Sequence, residues 1–193
     1  MEILIASNNK GKLKELQSIL TSFTLKTLED KNIHIEVEEN QQTYEGNSLK
    51  KAKEIYNISK MPTIADDSGL NIESLNNFPG VETHRFAGLH STDEDRNNIL
   101  LKKLENKDNR RASFTSVITY YDGKNTILGI GKLEGIIAKY PRGKNGFGFD
   151  SIFEYNGKTL AELTQEEKNK ISARKLAIIN LENNLKKAGI LWN

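Results

Sequence analysis

The chain has 193 residues, and its 28 Lys and Arg against 26 Asp and Glu leave a formal charge of only +2. So small a surplus gives little support for a polyanion partner unless the basic residues cluster, no nucleic acid is expected, and the absence of cysteine excludes a disulfide scaffold and thiolate metal sites. With 36% apolar residues, no apolar run of about eighteen and no signal-like N-terminus, residues 1–193 read as one soluble, cytoplasmic domain with no membrane association.

In chain order, Glu2–Ala6 reads as a strand, followed by a polar loop and a helix carrying Leu13, Leu16, Leu20 and Phe23 at helical spacing. Strands are expected near Thr24–Leu28 and Ile33–Val37, the latter because Ile33, Ile35 and Val37 alternate with polar residues. A second helix is predicted from Thr43 to about Lys60, with Leu49, Ala52 and Tyr56 on one face. Two short strands, Thr63–Asp66 and Leu70–Ser74, flank what looks like a turn at Ser68-Gly69. Thr92 can cap a helix running to about Glu105. Ala112–Tyr121, the turn Asp122-Gly123-Lys124-Asn125 and Thr126–Ala138 read as a long hairpin. The capping-box pattern Thr164-Gln165-Glu166-Glu167 opens a helix toward Gly189, striped by Ile178, Leu181, Leu185 and Ala188. Helix and strand alternate early while the middle is antiparallel, so the fold class is α/β with a mixed sheet.

Four stretches can carry chemistry. Ser7-Asn8-Asn9-Lys10-Gly11-Lys12 joins a strand to a helix N-terminus, where backbone N–H groups, Ser and Asn donors and two lysines favour an anion. It contains no P-loop motif, and a plain polar connection is the alternative. Glu36 and Glu38 face away from the apolar positions of their strand and, with Asp66 and Asp67, offer oxygen ligands to a hard cation such as Mg²⁺. The alternative is a solvated edge paired with Lys50, Lys51 or Lys53. Asn145-Gly146-Phe147-Gly148-Phe149-Asp150 permits close backbone approach to a flat ligand with a ring to stack on it, or places two phenylalanines in the core. Lys168, Lys170, Arg174 and Lys175 form a basic helix face that can equally be solvated. The three histidines, His34, His84 and His90, lack metal-ligand spacing, and no serine-nucleophile elbow occurs.

Taken in order, these stretches resemble the inosine triphosphate pyrophosphatase family. The resemblance runs from Ile5–Lys12 through Asn47–Ala52, Ala65–Leu70, Phe78–Val81, Arg85–Gly88 and Gly146–Asp150 to Ala161–Ser172. It implies a Mg²⁺-dependent hydrolase that cleaves non-canonical purine nucleoside triphosphates (ITP, dITP, XTP) to the monophosphate and pyrophosphate. The implied fold is elongated and α/β, with two lobes flanking a central substrate cleft, usually as a homodimer. By position, Ser7, Asn8, Asn9, Lys10, Gly11 and Lys12 would cradle the triphosphate and Lys51 would neutralise it. Asp67 would be general base and metal ligand, Glu38 a second ligand, and Ser68 a substrate contact. Phe149 would stack on the purine from a loop that includes Phe147 and Gly148, and Asp150, Lys168 and Arg174 would read the purine edge. Ala173 stands where the family normally has a histidine, which points to a looser base preference. Other readings are a pyrophosphatase of altered or broader base preference and a nucleotide binder without turnover.

Overall fold

The computed structural model describes residues 1–88 and 90–191. The strand β1 (Glu2–Ile5) leads into α1 (Lys10–Ile19), which starts where the backbone N–H of Lys12 donates to Asn9 Oδ1 at 3.0 Å. Next come β2 (Thr24–Thr27) and α2 (Tyr44–Ser59), the latter capped by Thr43, whose hydroxyl accepts from the Gly46 N–H at 3.0 Å. Then follow β3 (Thr63–Ile72), the short β4 (Phe78–Pro79) and α3 (Asp93–Lys103), which opens with a reciprocal capping box between Thr92 and Asp95. The rest is β5 (Arg111–Tyr121), β6 (Thr126–Ile137), β7 (Phe153–Tyr155), β8 (Lys158–Thr159), α4 (Gln165–Ile171) and α5 (Ala173–Lys187).

The strands form one mixed sheet in the order β2-β1-β3-β5-β6-β7-β8, with β4 paired to β3. β1 runs parallel to both β2 and β3, whereas β3–β4, β6–β7 and β7–β8 are antiparallel. The α/β class and mixed sheet expected from the sequence are therefore found. No described helix is long and apolar enough to cross a membrane.

Three local expectations are corrected. Ile33–Val37 is not a strand: Ile33 is buried and Ile35 and Val37 half-buried, so the alternation holds, but the segment joins no ladder of the sheet. Its side chains pack on the core beside the sheet, and an alternating pattern reports a half-buried extended chain whether or not a partner strand exists. Ser68-Gly69 is not a turn, because β3 continues through it to Ile72 with nearly every residue buried. A turn there would take backbone N–H and C=O groups out of the ladder in a place water does not reach. The C-terminal helix is interrupted at Ser172 (φ −61°, ψ 148°), which separates α4 from α5.

The chain divides into two compact units. The first comprises Met1–Asp67, Ser116–Gly131 and Ala173–Asn193; the second comprises Ser68–Thr115 and Lys132–Ser172. In the first unit, alternation along β1 and β3 separates two cores. Ile3, Ile5 and Ile64 pack with Leu16 and Ile19 of α1 and Ala177, Ile178 and Leu181 of α5. Leu4, Ala6 and Ala65 pack on the other face with Ala52 and Ile55 of α2. Gly131 lets α5 close against β6: a Cβ there would lie 2.1 Å from the Ala173 carbonyl oxygen. In the second unit Leu70, Ile72, Leu100, Leu104, Ile152 and Phe153 are fully buried.

Candidate active site

The split between the two sheet faces decides what happens at the end of the β3 apolar run. Asp66 follows the parity of Ile64 and meets α1 and α5; Asp67 follows Ala65 and meets α2. Both are 2% exposed. Asp66 sits in a built cation cage. Its carboxylate lies 3.0 Å from Lys12 Nζ, accepts from Ser116 Oγ at 2.8 Å, and takes Nε and Nη2 of Arg174 at 3.2 and 3.3 Å. Burial opposes its ionisation, but Arg174, Lys12 and Lys51 together hold the carboxyl well below the usual carboxylate range. Arg174 also donates to Glu15, itself buried.

Asp67 has a different environment. Its Oδ2 accepts from Asn47 Nδ2 at 3.0 Å, and Asn47 Oδ1 accepts from the backbone N–H of Gln41 at 2.9 Å. That second bond fixes the amide so that its nitrogen points at the carboxylate. Burial pushes the Asp67 carboxyl up to about 6; Lys51, Lys12 and the Asn47 hydrogen bond pull it down, and the neighbouring Glu39 adds to the rise. A carboxylate poised near neutral pH beside a lysine is suited to taking a proton from water.

Around these acids stand most of the residues expected to hold phosphates. Ser7 and Gly11 are half-buried, and Asn8, Asn9 and Lys10 are exposed. Within the loop, Ser7 Oγ accepts from the Asn9 N–H at 3.2 Å and Asn8 Nδ2 donates to the Ile35 carbonyl at 3.3 Å. Lys12 differs from the expectation: it is buried against Asp66, 54 residues away in sequence, instead of lying open in the cradle. Lys51 donates to the Asp66 carbonyl and to Glu39 Oε1, both at 2.6 Å. Glu38 is exposed and accepts from Asn40 Nδ2 at 3.0 Å, while Glu39 turns toward Lys51. Among the described residues no group of three acidic or histidine side chains is arranged to hold a metal ion.

The second unit holds the other cluster. Lys168 is buried, its Nζ 2.6 Å from Asp150 Oδ2 and 4.6 Å from the ring centre of Phe147. Asp150 Oδ2 also accepts from the Phe147 N–H at 2.9 Å. Gly146 and Gly148 are both left-handed (φ 79° and 64°), and a Cβ on Gly146 would fall 2.0 Å from that same oxygen. Phe147, Asp150 and Lys168 thus form one constellation. Phe149 does not belong to it: at 4% exposure it packs in the core, stacked on Phe86 at 6.4 Å and tilted against Phe114. The expectation that Phe149 stacks on a ligand is corrected, because in a loop whose glycines reverse it twice the deeper ring goes to the core and Phe147 is left half-buried. The Arg174 guanidinium is engaged with Asp66 and Glu15 in the first unit. Ser68 lies half-buried on β3 directly after Asp67.

Asn47, Glu39, Glu15 and Ser116 were given no role by sequence. Two of them left a signal: Asn47 precedes Lys51 by one helical turn on α2, and Glu39 shares the parity of Ile33, Ile35 and Val37.

A model of the Ham1 family matches residues 3–184. A protein of Aquifex aeolicus called dITP/XTP pyrophosphatase is 41% identical, covering 96% of this chain and 97% of its own. One of the same name from Clostridium perfringens is 43% identical over 98% of both. Among solved structures, the Ham1 protein of Staphylococcus aureus superposes with a TM-score of 0.88 at 37% identity, covering 97% of this chain and 100% of its own. With the family match running almost end to end and relatives this similar over nearly their whole length, the chain belongs to the Ham1 family.

Proposed function

We propose that this chain is a dITP/XTP pyrophosphatase, hydrolysing non-canonical purine nucleoside triphosphates (ITP, dITP, XTP) to the monophosphate and pyrophosphate. Support comes from the name its relatives carry and, above all, from Asp67, a buried carboxyl raised to about 6 and aimed by Asn47 beside Lys51. In the reaction, a water oxygen attacks the α-phosphorus, Asp67 takes the water proton, and the bond from that phosphorus to the bridging oxygen breaks. Pyrophosphate leaves with the bonding pair. Ser7, Asn8, Asn9, Lys10, Gly11 and Lys51 bind the phosphates, and Lys12 adds its charge from its pair with Asp66, these donors and charges strengthening as negative charge builds on the leaving group.

The donor set fits Mg²⁺. Asp67 would offer hard carboxylate oxygens, with Glu38 as the second ligand, and magnesium is commonly held by one or two carboxylates together with substrate phosphates. A bound ion would supply charge neutralisation and lower the pKa of water.

In the second unit, Phe147 stacks on the purine and Lys168, held by Asp150, donates to a 6-keto oxygen. Adenine's 6-amino group offers Lys168 no acceptor, so the ammonium keeps its bond to Asp150 but gains none from the base. Arg174, held by Asp66 and Glu15, would help read the purine edge. The reading includes the two-lobed form with a substrate cleft, the homodimer and the cytoplasmic setting that the family resemblance implies. Ala173 favours a second reading, in which the same hydrolysis runs with broader base preference, because its small buried side chain replaces the family's histidine.

Mg²⁺-dependent product release from ITP, XTP, dITP, GTP, ATP and dUTP tests the proposal. Pyrophosphate from ITP and XTP well above GTP is expected. Comparable release from GTP would favour the second reading, and orthophosphate as first product would refute both.

A further inference from the structure

The loop that carries Phe147 and Asp150 is held from outside itself, by two residues of α3 that the reaction does not use. Asp93 and Asn97 lie four residues apart, one turn along the same helix face. Asp93 Oδ2 accepts from the Gly148 N–H at 2.6 Å. Asn97 Nδ2 donates to the Gly148 carbonyl and to Ser151 Oγ, both at 3.1 Å. Both backbone polar groups of one left-handed glycine are therefore gripped by side chains, with no neighbouring strand involved.

Asn97 is held in this orientation at a cost. It is 5% exposed, and its Oδ1 is buried with no hydrogen-bond partner. Reversing the amide would turn that oxygen on the Gly148 carbonyl, acceptor against acceptor, and lose the loop bond. A buried oxygen left unpaired so that the nitrogen can reach Gly148 marks the bond to the loop as the interaction that sets the side chain. Asp93 is steadied in turn by Arg96, which also donates to the Ser91 carbonyl and hydroxyl at 2.8 and 2.9 Å.

We infer that Asp93 and Asn97 are specificity-determining positioning residues, fixing the Gly148 peptide so that the Phe147 ring and the Asp150–Lys168 pair keep the register that recognises the base. The inference rests on the proposed role of that loop in binding the purine. A Cβ at the left-handed Gly148 would meet nothing within 4 Å, so side-chain packing does not fix this residue and its two backbone hydrogen bonds to α3 do. The residue on one side of it presents the ring, and two residues beyond it stands the acid that holds Lys168.

The test compares Asn97→Ala, Asp93→Ala and Asp93→Asn with the wild type on ITP, XTP and GTP, and follows amide exchange of residues 145–151. For Asn97→Ala the expected result is a rise in KM for ITP of about tenfold, the factor a lost hydrogen bond at a buried site yields, and for Asp93→Ala, where the acid is half-exposed, a smaller rise of about threefold. Their kcat should stay within a factor of about two, ITP-over-GTP preference should shrink, and only the loop should exchange faster. Asp93→Asn keeps an acceptor for the Gly148 N–H and should restore KM. An active wild type whose alanine variants keep KM and selectivity would overturn the inference, whether or not the loop exchanges faster. So would a fall in kcat alone. A wild type that hydrolyses none of the three nucleotides would instead refute the functional reading, and this inference with it.

Discussion

Replacing Asp67 by Asn should abolish turnover and make the protein more stable. In the native state this carboxyl is raised from 3.8 to about 6, chiefly by burial. Between those values the folded protein binds more protons than the unfolded chain, so stability falls as pH rises from about 4 to 6 and then levels off. Two pH units correspond to about 3 kcal/mol. The amide that replaces the carboxylate carries no charge to desolvate, and its oxygen can still accept from Asn47 Nδ2. At pH 8 the variant should therefore gain about 2–3 kcal/mol, a rise in Tm of roughly 5–10 °C for a chain of this size. The assay is urea and thermal unfolding of both proteins at pH 5 and pH 8 in the presence of a chelator. The wild type should lose stability between those conditions relative to the variant. A variant no more stable than wild type at pH 8, or a difference independent of pH, would refute the claim that Asp67 is a charge held in the fold against its solvation preference.

The neighbouring acid has the opposite sign. Asp66 is held well below its ordinary value, so its contribution is present above about pH 4 and lost as pH falls further; Asp66→Asn, which strands Lys12 and Arg174, should cost about 3–5 kcal/mol by urea unfolding at pH 7. Lys51→Gln removes a charge that lowers the Asp67 pKa, so the acid limb of kcat/KM against pH should move upward from about 6. Gly131→Ala would drive a Cβ into the α5 backbone at Ala173 and Ala177 and should cost about 1–3 kcal/mol, read as a lower urea midpoint at unchanged slope. Gly146→Ala pushes on Asp150 Oδ2 and strains a left-handed residue, so KM for ITP should rise with kcat largely retained.

Much of this site was legible because its elements are local. Thr92 and Thr164 announce helix starts, and the period of two along β1 and β3 sends Asp66 and Asp67 to different faces before any contact is known. What the sequence hid depends on partners far along the chain. Lys12 looks like an open phosphate ligand until Asp66 is placed 3.0 Å from it. Arg174 is separated by 108 residues from the acid it holds. Which phenylalanine of Phe147-Gly148-Phe149 is buried follows from Phe86 and Phe114, not from the motif. Ile33–Val37 shows the converse: the right periodicity without a strand to pair with, since hydrogen-bond partners leave no mark on the pattern.

The most direct test of the central claim is hydrolysis of ITP in ¹⁸O-labelled water with Mg²⁺, reading the label in each product by mass spectrometry. Attack on the α-phosphorus under Asp67 catalysis predicts one labelled oxygen in the monophosphate, unlabelled pyrophosphate, and no turnover by Asp67→Asn. Label in the pyrophosphate, or undiminished turnover by that variant, would contradict it.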